Sequence, residues 1–102
     1  MIRVIATIEL APQRRDEFLR IFHDLTPQVR AERGCIEYGP MIDLPTSISA
    51  QAPPRDNTVT VVEAWEDLDA LEKHLMAPHM LDYRKAVKGL VQKVDLQILQ
   101  PA

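Results

Sequence analysis

The side chains able to carry chemistry gather in Val59–Tyr83, VTVVEAWEDLDALEKHLMAPHMLDY, which holds the only Trp, two of the three His and one of the two Tyr. Glu63 and Trp65 stand two apart, so on a strand they share a face. A Trp is apolar with a single N–H donor that needs an acceptor when buried, and a Glu is costly to bury alone. The pair can form a pocket wall with a donor and a carboxyl of raised pKa, or a core Trp beside a Glu held by an arginine or backbone group. His74 and His79 offer a general base, for which one neutral imidazole beside a pocket suffices. His74 is the better placed, next to the apolar stripe of Leu71 and Leu75. His79 opens the segment after Pro78, where a helix N-terminus disfavours its charged form. Either ring can instead serve as a backbone-bonded histidine at the helix break. Tyr38 and Tyr83 can give phenol hydrogen bonds to a ligand oxygen, or sit as amphipathic edge residues.

Other chemistries find less support. The two histidines are five apart across Pro78, and no further His, Cys or carboxylate completes a ligand set of usual spacing, so no metal site is expected. Gly34, Gly39 and Gly89 are scattered and form no phosphate-cradling loop, and no serine nucleophile elbow occurs. A net charge of −3 argues against nucleic acid, which requires a basic face. Cys35 is the only cysteine, so no internal disulfide forms; a buried, inert thiol and a cytoplasmic location are expected. No signal peptide is expected, and no apolar run approaches the ~20 residues that cross a bilayer. His23 reads as an exposed or rim histidine.

The elements that must hold these groups follow from periodicity. Ile2 to Leu10 alternates and predicts a strand, with Ile2, Val4, Ala6, Ile8 and Leu10 on one face. A helix is predicted from Pro12, with Phe18, Ile21, Phe22, Leu25 and Val29 as its stripe. Pro27 should kink or divide it, with Thr26 capping the second piece, and Gly34 should cap its end. Cys35 to Asp43 is a second strand, kept to an edge by Pro40. Residues 44–57 are irregular and long for a compact domain, either a mobile surface loop or a lid or dimer arm. Thr58 to Glu66 is the third strand. Asp67 caps a helix whose buried stripe is Leu68, Leu71 and Leu75. Pro78 starts a second segment with His79, Met80, Tyr83 and Val87 inward, and Val91 to Leu99 is the last strand.

Strand, helix, strand recurs in 1–43 and 58–99. Right-handed crossovers then give one domain over 1–102: a ferredoxin-like α+β sandwich with an antiparallel sheet, first and third strands central. Helices cover one sheet face. The other still carries apolar residues, and a second copy is its simplest cover, giving a homodimer with sheets face to face.

RAERGCIEY followed by VVEAWEDLDALEKHLMAPHM resembles the antibiotic biosynthesis monooxygenase family, which includes small quinol monooxygenases. The shared features are Arg30–Cys35, Tyr38, Glu63 with Trp65, and His74, Leu75 and His79; loop 44–57 is longer than usual in such proteins. The resemblance implies a dimeric α+β barrel that oxidises a small phenolic or quinol substrate with O2 and no cofactor. On it, His74 becomes the base, Trp65 and Tyr38 or Tyr83 the donors, Glu63 an orienting group, and His79 a substrate contact. The alternatives are an isomerase, a haem-degrading relative, or a non-catalytic dimer binding a small ligand on the same scaffold.

Overall fold

The structure, a computed structural model, describes residues 1–102. Its elements run β1 (Ile2–Leu10), α1 (Arg15–Arg30), β2 (Cys35–Met41), β3 (Thr58–Trp65), α2 (Leu68–Leu75), α3 (Pro78–Ala86) and β4 (Val91–Leu99). The strands form one antiparallel sheet in the order β2-β3-β1-β4, a ferredoxin-like α+β arrangement with β1 and β3 central. Pro40, unable to donate to a ladder, sits on edge strand β2 as expected.

Register places Val4, Ala6 and Ile8 of β1 beside Glu63, Val61 and Val59 of β3, all on the helix-covered face. Phe18, Phe22, Leu25 and Val29 of α1 close that core. On the far side of β1, Ile8, Ala6 and Val4 pair with Val94, Leu96 and Ile98 of β4. Those three share the helix side of the sheet yet stay about half exposed, at 52%, 47% and 50%, because no helix lies over them. The opposite face holds partly buried Ile5 and Val62, with the ion pairs Arg3–Glu37 and Lys93–Asp95 around them.

Several local expectations need correction. Pro12 does not open α1; it lies in a turn where Gln13 takes φ +66°, and the helix begins at Arg15. Pro27 does not divide α1 and receives no cap: it falls in the last turn, exposed, where losing one N–H to His23 O is tolerable. Thr26 Oγ1 instead donates back to Phe22 O at 2.9 Å. Ala31 caps α1, whereas Gly34 serves the next turn: its φ is +86°, and a Cβ there would stand 2.6 Å from Ala70 Cβ. Helix α2 therefore packs tightly on this turn, and its inward residues are Ala70, Leu71 and His74, while Leu68 points out. Asp67 caps α2 as expected, its Oδ1 accepting from Ala70 N at 2.9 Å. Pro78 occupies the first turn of α3, where its missing N–H costs nothing.

Loop 44–57 has no regular structure but is fastened. Asp43 accepts three hydrogen bonds from Arg55, one backbone and two from the guanidinium, at 2.8 to 3.0 Å. This holds the Asp43 carboxyl down at about 2. Arg15 binds the carbonyls of Arg55 and Thr58 from α1, and Gln51 bonds Thr46 and the carbonyl of Leu44 inside the loop. Leu44 and Ile48 project from it, largely exposed.

Candidate active site

A cavity of about 420 Å³ opens between the sheet and α1, α2 and α3. Most of its lining is apolar, from Ala6, Ile8 and Val61 on one side to Met80 and Val87 on the other. Its volume suits a small aromatic ligand. Glu63, His74, Tyr38 and Tyr83 all reach its wall, so four of the six expected site residues converge there.

His74 is 1% exposed, on the inward face of α2 with Ala70, which packs against Gly34. Its Nδ1–H donates to Glu32 Oε2 at 2.9 Å. An ionised carboxylate only accepts, so this bond fixes the Nδ1–H tautomer and leaves the Nε2 lone pair for the cavity. Burial lowers the pKa of His74, the Glu32 bond opposing that shift, so the imidazole is neutral and basic near neutral pH. Trp65 packs its ring 4.6 Å from the imidazole, centroid to centroid, and Tyr38 meets it edge-on at 5.4 Å.

Glu63 is 5% exposed on central strand β3. Burial pushes its carboxyl up to about 7, against a lowering bond from Trp65 and with a further rise from Glu32. Trp65 Nε1–H donates to Glu63 Oε1 at 2.9 Å. Trp65, expected as a donor to the ligand, has its one donor committed to Glu63, its ring fully buried, and no place on the cavity lining.

Tyr38 and Tyr83 flank Phe22, the first stacked at 5.5 Å and 11°, the second edge-on at 5.7 Å. Burial drives both phenol pKa values up, so each stays protonated and able to donate. Arg30 Nε–H donates to Tyr38 O at 2.9 Å, tying the end of α1 to β2.

His79 does not reach this cavity. Its Nε2–H donates to the same Glu32 Oε2 at 2.7 Å from the outer side. The structure thus places His79, expected as a substrate contact, against Glu32 rather than on the cavity wall. Cys35 is partly rather than fully buried, and desolvation with the charges of Glu32 and Glu63 raises its thiol pKa, which keeps it unreactive.

Glu32 is the residue that sequence reasoning missed. It lies in the turn between α1 and β2, 42 and 47 residues from the two histidines it joins. Its only signal was its place within the Arg30–Cys35 motif.

Comparison with known proteins gives the family. The family model described as antibiotic biosynthesis monooxygenase matches residues 1–86. The chain belongs to that family. A protein named "Probable quinol monooxygenase YgiN" from Escherichia coli (strain K12) is 41% identical over 99% of this chain and 98% of its own length. The crystal structure of PA3566 from Pseudomonas aeruginosa superposes with a TM-score of 0.80 at 29% identity, covering 99% of this chain and 93% of that one. A crystal structure titled as an antibiotic biosynthesis monooxygenase superposes at 0.81 with 20% identity, covering 100% and 99%, a likeness of fold. No helix of this family member is long and apolar enough to cross a membrane.

Proposed function

We propose that this chain is a monooxygenase that oxidises a small phenol or quinol with O2, without a cofactor. The carrying observation is the Glu32–His74 pair on the wall of an apolar cavity: a neutral base whose tautomer is set and whose Nε2 faces a water-poor space. The name of the Escherichia coli relative supports the substrate class.

The steps follow from the side chains. His74 Nε2 takes the phenolic proton. The electron-rich phenolate gives one electron to O2, and the resulting pair joins at a ring carbon bearing hydrogen to form a hydroperoxide. Loss of that ring hydrogen with cleavage of the O–O bond releases water and leaves a quinone. One oxygen atom of O2 enters the ring and the other departs as water, so no external reductant enters the balance. Tyr38 and Tyr83 donate to the substrate oxygens, and protonated Glu63 donates to developing oxygen charge.

The active unit is proposed to be a homodimer. Ile5 and Val62 on the helix-free face, together with Leu44 and Ile48 on an arm clipped by Asp43 and Arg55, supply apolar surface for a second copy.

Oxygen consumption by the metal-free protein with a panel of hydroquinones and polyphenols is the direct test. Replacing His74 by Ala should lower turnover by about 10²–10⁴-fold while circular dichroism remains that of the parent. Equal turnover in both would remove His74 as the base, and no consumption above autoxidation in either would count against the oxygenase.

A further inference from the structure

Two cations at the cavity have no part in the chemistry above. Arg84 in the last turn of α3 and Lys88 just beyond it both line the cavity, the only Arg and Lys to do so. Both are exposed, so they stand at the mouth, whereas Glu63, the one acid on the wall, is buried deep. Neither cation takes part in any of the seven ion pairs of the chain. Arg84 Nη2–H donates to Leu75 O at 2.6 Å across the α2–α3 break, which holds the guanidinium at the rim with its other N–H groups unspent. Its charge reaches inside: it contributes to lowering the pKa of His74 and restrains the rise at Tyr83.

Cations near a helix C-terminus also satisfy the helix dipole. That explanation applies equally to Lys85, which does not line the cavity, and so it does not account for where Arg84 and Lys88 sit. In a protein of net charge −3, two unpaired cations at the rim of an apolar cavity are a selective feature. A guanidinium presents a planar fork that matches a carboxylate, and a lysine beside it adds a mobile point charge.

We propose that Arg84 and Lys88 form an anion subsite at the cavity mouth, so that the substrate is a phenol or quinol bearing a carboxylate. This rests on the oxygenase reading for the phenol, and on the rim geometry alone for the carboxylate. The carboxylate stays at the mouth, half in water, while the ring fills the apolar interior and its hydroxyl meets His74.

Binding of 2-naphthoate and of its neutral isostere 2-naphthamide, neither of which the reaction consumes, tests the subsite by calorimetry on the whole protein. The naphthoate should bind about tenfold more tightly than the amide, with the preference shrinking as salt is raised. Lys88→Gln, which disturbs no hydrogen bond of the fold, should lose part of that preference, and Arg84→Gln with Lys88→Gln all of it, leaving amide affinity unchanged. Lys85→Gln should change neither affinity. Equal affinities in the parent protein, absence of naphthoate binding, or a preference that survives the double substitution would overturn the subsite. Oxygen consumption with a hydroquinone carboxylate and its amide separates the two ideas. Anion-selective binding without consumption sinks the oxygenase and keeps the subsite, whereas consumption without selectivity sinks the subsite alone.

Discussion

On the β2–β3 side of the cavity, Glu63, Trp65 and His74 are buried, Trp65 bonded to Glu63 and His74 to the partly buried Glu32. On the β4 side, Val94 and Leu96 line the cavity with Ile98 beyond it; all three are about half exposed and carry no polar group. Both walls rest on the same face of the sheet, Glu63 and Trp65 on β3 and the apolar three on β4, with His74 reaching the first from α2 and Glu32 from the turn before β2. They differ because β3 is a central strand with α2 folded back onto its end, while β4 is an edge strand with no helix above it. Polar groups on the covered wall lose their water and must be satisfied within the chain, which fixes their geometry and shifts their pKa values. The open wall contributes shape and access. Reactive groups are thus held where burial is enforced by two neighbours, and entry is left where it is enforced by one.

The largest expected effect comes from removing the charge that the covered wall resists. The Glu63 carboxyl lies at about 7 in the fold against 4.5 when free. Between those values the folded state holds a proton that the unfolded chain has released, so stability falls as pH rises through this window and levels off above it. The gap corresponds to about 3 kcal/mol. Glu63→Gln keeps an acceptor for Trp65 and never ionises. Its stability relative to the parent should therefore grow by about 3 kcal/mol from pH 4.5 to pH 8 in urea titrations. Activity should respond in parallel: the parent rises with pH as His74 loses its proton below 6.5 and declines above about 7, and the variant should lack the decline. A stability difference that does not change with pH would show that the covered wall is wet.

Trp65→Phe probes the same wall with a smaller change. Phe fills most of the indole's space but returns no donor, leaving Glu63 Oε1 without the bond at 2.9 Å. A loss of about 2 kcal/mol is expected, greater at pH 8 than at pH 5 because the charged carboxylate depends most on that donor. The alkaline limb of activity should move upward, since the Trp65 bond holds the Glu63 pKa down. Combined with Glu63→Gln the two effects should be non-additive, and simple additivity in the double-mutant cycle would mean that the pair does not act as one unit.

The covered wall was only half legible in the sequence, for reasons visible in particular residues. Glu63, His74, Tyr38 and Tyr83 could be placed by period and by type, and Asp67 and Pro78 marked the helix boundaries through local capping rules. The central and edge positions of the strands followed from connection handedness and from Pro40. Glu32 could not be found this way, because its partners are 42 and 47 residues distant and no periodicity links a turn to a helix across that span. The orientation of α2 was similarly hidden. Leu68, Leu71 and Leu75 make a plausible stripe, but in the fold Ala70 packs against Gly34, Leu68 points outward and His74 is fully inward. Trp65 was legible as a buried donor, but which acceptor it serves depended on packing.

The smallest effect belongs to the open wall. Ile98 pairs with Val4 of β1 yet is 50% exposed, and it does not line the cavity. Ile98→Ser removes apolar surface that is already half in water, so a loss of about 1 kcal/mol is expected, independent of pH. The contrast with the covered wall lies in that pH independence as much as in the size. If the loss instead reaches about 3 kcal/mol and the melting temperature becomes dependent on protein concentration, the wall is covered in solution by another chain. The homodimer would then close over β4 rather than over the face that carries Ile5 and Val62, and the cavity mouth would be completed by the second copy.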